Sequence, residues 1–147
     1  MAANPASIDA IDREILRVLA DDARIGWSEL GARVRLSPNA AAERVRKLVR
    51  AGVIRRFTTD IDQAAFGRTL QAVIDVRVAG GNRFHDVLTE RDEVTWLAHV
   101  TGRTDYQVHV SCAGTEGLQR LLTSFRDDYG AVETLTTVVL ESYRPAR

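Results

Sequence analysis

The spacing of the apolar residues changes once along the chain, and this change restricts the folds that are open to it. Up to Val49 the apolar residues recur every three or four positions, as they do on one face of an α-helix. From Leu70 they alternate with polar residues, as in a half-buried β-strand. A length of 147 residues suits one domain or two small ones. The pattern therefore predicts a helical amino-terminal domain followed by a domain that contains a sheet.

Three short helices are predicted before the change in spacing. The first has one apolar stripe, and the second begins after Gly26, a plausible N-cap. The third begins at Ser37-Pro38, because serine caps free amides and proline at the first helical position has no amide to satisfy. It ends before Gly52, a residue suited to a left-handed cap. Only Arg35-Leu36-Ser37 joins the second and third helices, and so short a turn predicts a helix-turn-helix.

The charge of the chain is zero overall but unevenly distributed. Residues 33–56 contain eight Lys and Arg and one acid, Glu43, for a net charge of +7. Residues 1–32 carry −3 and residues 57–147 carry −4. Phosphate contacts require clustered basic side chains, and the cluster coincides with the predicted third helix. Overall neutrality therefore does not exclude a nucleic-acid binder.

The second half of the chain predicts an α+β domain. The predicted strands are Leu70–Val78, Val94–Thr101, Asp105–Cys112 and Val132–Tyr143. Gly80-Gly81-Asn82 breaks the first strand, and helices follow around Phe84–Leu88 and Leu118–Phe125. The order βαββαβ is the ferredoxin-like arrangement. Two helices cover one face of a sheet, so the other face is expected to be buried against a second copy, as a homodimer.

Several other classes of protein are disfavoured by the composition. A single cysteine, Cys112, excludes an intramolecular disulfide and fits a reducing cytosol, and no apolar run is long enough for a membrane span. No basic-then-apolar leader stands at the amino terminus. With Gly102 paired to Asp105 in a hairpin, His99 and His109 are expected on opposite faces of the sheet, and they would not chelate one metal. No metal, cofactor or catalytic residue is predicted.

The ordered motifs of the chain resemble the leucine-responsive regulator/AsnC, or feast/famine, family of transcriptional regulators. The segments that carry this resemblance span nearly the whole chain: Ile8–Leu16, Asp22–Ile25, Leu36–Pro38, Arg44–Leu48, Ala51–Ile54, Val100–Tyr106 and Gly130–Thr136. The resemblance implies an amino-terminal helix-turn-helix domain over 1–55, a linker strand over 56–67, and a ligand-sensing and oligomerisation domain over 68–147. It also implies a cytoplasmic homodimer that assembles to an octamer.

Charge pattern alone leaves the third helix equally open to DNA binding and to being a solvated basic face, and the resemblance favours DNA. The expected DNA-binding residues are Ser37, Asn39, Ala40, Glu43, Arg44, Arg46, Lys47 and Arg50. In the major groove, Asn39 would pair with adenine and Glu43 would accept from cytosine, while the basic residues would contact phosphates. Arg55 and Arg56 are further phosphate candidates.

The segment after the second strand has two interpretations. Gly102 and Asp105 suffice to build a hairpin turn, whatever else they do. The resemblance adds that this loop lines a pocket between assembled dimers, and that the pocket binds a small effector such as an amino acid. The expected effector-binding residues are Gly102, Thr104, Asp105, Tyr106, Thr134 and Thr136.

Two alternative functions stay open at this point. A branch of similar two-domain proteins decarboxylates sirohaem-type tetrapyrroles with histidines of the second domain, and His99 and His109 keep an enzyme in play. The strongly basic third helix argues against it. The other alternative is a nucleoid-architectural protein with little sequence preference.

Overall fold

The computed structural model describes residues 8–79 and 84–143, which form two compact units that divide between Asp60 and Ile61. The predicted break at Gly80-Gly81-Asn82 lies outside the described residues. Within those ranges, every helix is too short or too polar to cross a bilayer.

The first unit contains the three predicted helices, α1 (Ala10–Asp21), α2 (Trp27–Arg33) and α3 (Pro38–Arg50). The capping predictions are confirmed at both ends of α3. The Ser37 hydroxyl accepts a hydrogen bond from the Ala40 amide at 3.2 Å, and Pro38 occupies the first turn. Just after the helix, Gly52 has a φ of +70°, which glycine adopts without steric cost. Gly26 is the N-cap of α2 and supplies no side-chain hydrogen bond.

The core of the first unit is formed by apolar residues from all three helices. Its buried members are Ile15, Val18, Ile25, Leu30, Val34, Ala41, Val45 and Leu48. Val49, which the spacing places with this group, is 43% exposed, and the buried stripe of α3 includes Ala42 instead. A Cβ added to Gly31 would lie 2.7 Å from the Leu36 carbonyl oxygen. The turn that leads into α3 therefore packs directly against the backbone of α2.

The alternating sequence of Val53–Ile61 predicts a strand, and the resemblance implies a linker strand over 56–67, but both predictions are wrong because no strand forms there. Residues 55–62 have no regular secondary structure, and Gln63–Phe66 forms one turn of 3-10 helix. Alternating sequence is not enough for a strand, because the backbone amides and carbonyls also need a neighbouring strand to pair with. No described strand of this chain pairs with the segment.

The second unit has the predicted βαββαβ order. Its strands are β1 (Leu70–Val78), β2 (Val94–His99), β3 (Tyr106–Cys112) and β4 (Ala131–Val139), with helices α4 (Phe84–Leu88) and α5 (Gly114–Asp127). The sheet order is β2-β3-β1-β4 and every pairing is antiparallel. This is the predicted ferredoxin-like arrangement.

The register of the hairpin between β2 and β3 differs by two residues from the prediction. Pairing Gly102 with Asp105 would have placed His99 opposite Val108. His99 lies opposite Tyr106, and Leu97 lies opposite Val108. The turn is wider than predicted because the closing hydrogen bond runs from the Val100 amide to the Asp105 carbonyl, at 2.9 Å. A shift of two residues preserves the faces of a strand. His99 therefore still lies on the face opposite His109, as expected.

The two faces of the sheet differ sharply in burial. Toward the helices, Ile74, Val76 and Val108 are fully buried against α4 and α5. The opposite face, here called the open face, carries Trp96 at 47% exposure and Leu135 at 64%. Apolar side chains of this size on an uncovered sheet are typical of an interaction surface.

We expect Gly31→Ala to destabilise the first unit by about 1–3 kcal/mol, because the new methyl group would overlap backbone and not a movable side chain. Urea unfolding followed by the helical circular dichroism signal measures the effect. Gly26→Ala is the matched control, since a Cβ there meets nothing within 4 Å. Equal stability of the two variants would contradict the close approach of the turn.

Candidate nucleic-acid interface and effector site

Helix α3 has an outer surface that is free of the core of its unit. Asn39, Arg46, Lys47 and Arg50 are exposed, whereas Ala40 is half-buried. Lys47 forms no ion pair with any described residue, so its charge is fully available to a partner. Ser37 uses its hydroxyl as the helix cap and keeps its position at the exposed start of α3.

Arg44 has a role that the sequence did not reveal. Its guanidinium Nη1 donates to Asp9 at 2.7 Å and to Asp12 at 2.8 Å, and so ties α3 to the first turn of α1. Asp12 is almost completely buried, and the same two carboxylates form a capping box at the start of α1. The hydrogen bond that Arg44 donates to Asp9, and then the one that it donates to Asp12, raise the pKa of Arg44. Arg44 is therefore committed to the scaffold of the unit, and its predicted phosphate contact stays a prediction.

Glu43 connects two of the predicted DNA-contacting arginines. Its carboxylate accepts from Arg50 at 2.8 Å and from Arg46 at 3.1 Å. The hydrogen bond from Arg50, followed by that from Arg46, holds the pKa of Glu43 below its ordinary value. Glu43 thus stays ionised and offsets part of the positive charge of the helix. A cytosine amino group would have to compete with both arginines for this carboxylate.

The hairpin after β2 is attached to β1 through Asp105. The Asp105 carboxylate accepts from the Val78 amide at 2.9 Å, and the Asp105 amide donates to the Val76 carbonyl at 2.9 Å. Gly102 has a φ of +134°, a conformation that other residues rarely adopt. The two hydrogen bonds fix the loop to β1, and the Asp105 carboxylate already has a protein partner.

Beside this hairpin, the open face of the sheet contains a cavity of about 480 Å³. It is lined by Asp75, Arg77, Arg103, Thr104, Glu133 and Leu135. Two internal pairs organise it: Arg77 binds Glu133 at 2.6 Å, and the Gln107 amide donates to Asp75 at 3.0 Å. The lining combines guanidinium groups, carboxylates and an apolar side chain, which together suit a small zwitterion.

The structure does not bring all six predicted effector residues to this cavity. Thr104 lines it, and Gly102 and Asp105 are its neighbours in the hairpin. Tyr106 is buried in the core on the other side of the sheet, where its ring centroid lies 4.9 Å from that of Phe84. Thr134 and Thr136 lie opposite Val76 and Ile74 in β4, so they also point away from the open face.

Sequence reasoning missed the strand residues of this cavity. Asp75 and Arg77 in β1 lie opposite Leu135 and Glu133 in β4, and all four belong to the open face. Strict alternation along β1 indicates the face of Asp75 and Arg77. The pairing of β1 with β4 joins residues nearly sixty positions apart, and local patterning carries no information about it.

The histidines have ordinary aromatic neighbours. His99 packs against Tyr106 with ring centroids 4.9 Å apart, and His109 packs edge-on to Trp96 at 4.8 Å. Among residues 8–79 and 84–143, no group of three or more His, Cys, Asp or Glu side chains is placed to hold a metal.

A helix-turn-helix with a basic outer helix, joined to a ferredoxin-like domain, defines a DNA-binding regulator with a separate sensory or assembly domain. Comparison with known families agrees in both halves. Residues 8–49 match the AsnC-type helix-turn-helix domain, and residues 71–147 match the Lrp/AsnC ligand binding domain. The chain belongs to the Lrp/AsnC family of transcriptional regulators, as its motifs predicted.

Relatives and solved structures cover nearly the entire chain. It is 37% identical to the transcriptional regulator AldR of Mycolicibacterium smegmatis, over 95% of this chain and 85% of the relative. The crystal structure of AldR from Mycobacterium tuberculosis superimposes with a TM-score of 0.85 at 29% identity, covering 98% and 99% of the two chains.

The feast or famine regulatory protein of M. tuberculosis, solved in complex with L-methionine, gives a TM-score of 0.87 at 29% identity, with 96% and 97% coverage. The relatives are named as regulators and not as enzymes, so the tetrapyrrole-decarboxylase alternative is not favoured.

The tie between α1 and α3 predicts a specific dependence of stability on pH. The amide of Asp12, and then the Arg44 side chain, hold the pKa of Asp9 below its ordinary value. A carboxylate whose pKa is lower in the folded state stabilises it above the unfolded value, about 3.9, and loses that contribution as the pH falls through the folded value. Asp9→Asn keeps an N-cap but removes the charge.

We expect Asp9→Asn to be less stable than the wild type at pH 7, with a difference that shrinks as the pH falls below the ordinary carboxyl range. Urea unfolding at a series of pH values measures both. Asp21→Asn, at the other end of α1, is the control, because its carboxylate makes no ion pair with the described residues. A difference that is the same at every pH would show that the ion pair is not responsible.

Proposed function

We propose that the chain is a sequence-specific regulator that places α3 in the major groove of double-stranded DNA. The supporting observation is that the basic residues of α3 face two directions. Arg44 binds inward to α1, while Arg46, Lys47 and Arg50 remain on the outer surface. A helix held in this way presents its early residues to base edges in a fixed orientation.

The outer residues of α3 divide into base contacts and phosphate contacts. Asn39 is exposed in the first turn and suits a paired contact with adenine. Lys47, Arg46 and Arg50 suit phosphates, as do Arg55 and Arg56, which are exposed beyond the helix. Ser37 and Ala40 lie beside Asn39 at the start of α3, where they would approach the backbone or a thymine methyl group.

Glu43 is proposed to limit binding to the wrong sequence. Its hydrogen bonds to Arg46 and Arg50 offset their charge in the free protein. DNA binding would break these hydrogen bonds when the arginines turn to phosphates. A site with a cytosine at this position gives Glu43 a new donor, the cytosine amino group, whereas other sequences leave the carboxylate without one.

We expect Lys47→Gln and Arg50→Gln each to weaken binding to DNA from upstream of the chain's own gene. Each should make the negative slope of log affinity against log salt shallower by about 0.9, because each removes one phosphate contact. Fluorescence anisotropy over a range of salt concentrations gives both quantities. Arg126→Gln, which removes the same charge from α5, should leave affinity and slope unchanged. Wild-type binding that ignores salt would contradict the proposed interface.

We further propose that an amino acid is the effector and that it binds at the cavity beside Gly102 and Thr104. The charged lining of this cavity, with Arg77, Arg103 and Glu133, is complementary to a zwitterion. A relative of the same fold has been solved with L-methionine, which supports an amino acid as the class of ligand. The effector would act by favouring one arrangement of subunits over another.

A panel of amino acids in a thermal-shift assay tests this proposal. At a hundredfold excess over its dissociation constant, a true effector should stabilise the protein by about 2.7 kcal/mol. Thr104→Val should reduce the shift, because it removes a hydroxyl from the lining while keeping the side-chain shape. Thr123→Val on α5, outside the cavity, serves as the control. A shift that Thr104→Val leaves intact would place the ligand elsewhere.

We propose that the open face of the sheet is the homodimer interface, that such dimers assemble further to an octamer, and that the protein acts in the cytoplasm. Trp96 and Leu135 are the largest apolar side chains on this face. Two DNA-binding units in one dimer would address half-sites spaced by multiples of about 34 Å. The predicted domain limits of 1–55, a linker to 67, and 68–147 belong to the same proposal.

Leu135→Asp should convert the protein to monomers, because it replaces an exposed apolar side chain of this face with a charge that would lie beside Asp75 and Glu133. Sedimentation equilibrium measures the change in mass. Thr123→Asp introduces the same charge on the exposed side of α5, which is on the opposite side of the sheet, and should not alter the assembly. A Leu135→Asp protein with wild-type mass would exclude the open face as the interface.

A further inference from the structure

A second cavity of the ferredoxin-like unit lies at the end of the sheet opposite the effector hairpin. Its volume is about 490 Å³, and its walls include Cys112 at the end of β3 and Phe66 and Leu121 as apolar surfaces. Cys112 is six residues along β3 from Tyr106 at the hairpin, which at about 3.3 Å per residue is roughly 20 Å. This cavity is therefore distinct from the one beside Thr104.

Three arginines line this second cavity, and they differ in how far their charges are compensated. Arg68 is fully engaged: it donates to the Asp92 carbonyl at 2.8 Å, to the Asp92 carboxylate at 3.2 Å and to Gln63 at 3.2 Å. Arg91 is not, because its Nε is buried without a hydrogen-bond partner and the Glu93 carboxylate is 3.7 Å away. That distance is too long for a hydrogen bond.

Arg120 is the third arginine and forms no ion pair with the described residues. A Cβ placed on Gly117 would lie 3.8 Å from its guanidinium, so this group folds back over the first turns of α5 at the cavity wall. Burial raises the pKa of the Cys112 thiol, which keeps it neutral and removes it as a competing anion. Two guanidinium groups at one cavity thus lack an internal carboxylate at hydrogen-bonding distance.

We propose that this cavity binds the carboxylate of a small ligand through Arg120 and Arg91, with the apolar part of the ligand against Phe66 and Leu121. A planar guanidinium presents paired donors that match the two oxygens of a carboxylate. A ligand carboxylate near Arg91 would also supply an acceptor for its Nε–H, which has no hydrogen-bond partner in the protein. The proposal concerns a site outside the effector hairpin and does not depend on DNA binding.

The acidic residues of the wall restrict the charge of the ligand. Glu90, Asp92 and Glu93 balance the three arginines, so the lining is neutral overall. A doubly charged phosphate would be repelled by these carboxylates, whereas a single carboxylate matches the two available guanidinium groups. Glu90 forms no ion pair with the described residues, so its carboxylate is available to the ammonium group of a free amino acid.

Isothermal titration of the full-length protein with matched ligands tests the proposal. The probes are 3-methylbutanoate, valine, which adds an ammonium group, 3-methylbutanamide, which lacks the carboxylate, and inorganic phosphate. We expect one or both carboxylates to bind with a dissociation constant of about 1 mM or tighter. Arg120→Gln should weaken this binding at least tenfold. Arg91→Gln should weaken it as well, because Arg91 also lines the cavity.

The controls locate the site and distinguish its failure from failure of the regulator assignment. Arg126→Gln, on the same helix but outside the lining, should bind as the wild type does. Thr104→Val, which alters the hairpin cavity, should retain the wild-type affinity for 3-methylbutanoate. DNA binding of Arg120→Gln, measured on the same sample, should be unchanged. Preferential binding of valine that Glu90→Gln removes would identify a free amino acid, and preferential binding of 3-methylbutanoate a simple carboxylic acid.

Any one of several results would overturn the proposal. They are no carboxylate binding, equal binding of the amide, phosphate binding as tight as carboxylate binding, and an Arg120→Gln affinity equal to that of Arg126→Gln. Carboxylate binding that disappears in Thr104→Val would assign the ligand to the hairpin cavity and would also overturn it.

Discussion

The contact of Arg44 with Asp9 and Asp12 fixes the helix-turn-helix unit, because it joins the third helix to the start of the first. It uses the same carboxylates that cap α1, so the start of one helix and the orientation of another are set by one cluster of charges. With Arg44 held inward, the remaining basic residues of α3 are directed away from the core. The ion pair beneath α3 therefore helps to orient the surface that is proposed to bind DNA.

Local chemistry was sufficient to predict most of the fold. Ser37, Pro38 and Gly52 set the limits of α3, and the strict alternation from Leu70 to Val78 set β1 to the residue. The pattern could not predict interactions between distant parts of the chain. Arg44 and Asp9 are 35 positions apart, and helical spacing alone made Arg44 look like one more exposed base. The linker strand failed for a related reason: its sequence alternates, but the chain supplies no strand beside it.

The candidate effector site shows how strand geometry divides a set of residues that a motif groups together. Thr104 lies at the open-face cavity, whereas Tyr106 and Thr136 belong to the side that packs against the helices. The same rule assigns Asp75, Arg77, Glu133 and Leu135 to one wall. Since that wall adjoins the apolar surface proposed to join two subunits, ligand and assembly would act on one face of the sheet, while the second cavity lies at its far end.

Dimethyl sulfate footprinting of the DNA upstream of the gene tests the central claim, that α3 enters the major groove in a fixed orientation, most directly. The reagent methylates guanine N7, which lies in that groove. Insertion of two α3 helices in a fixed orientation predicts discrete protected guanines in two clusters on one side of the duplex, separated by whole helical turns. Binding that leaves every guanine N7 reactive, or that protects guanines evenly along the DNA, would contradict it.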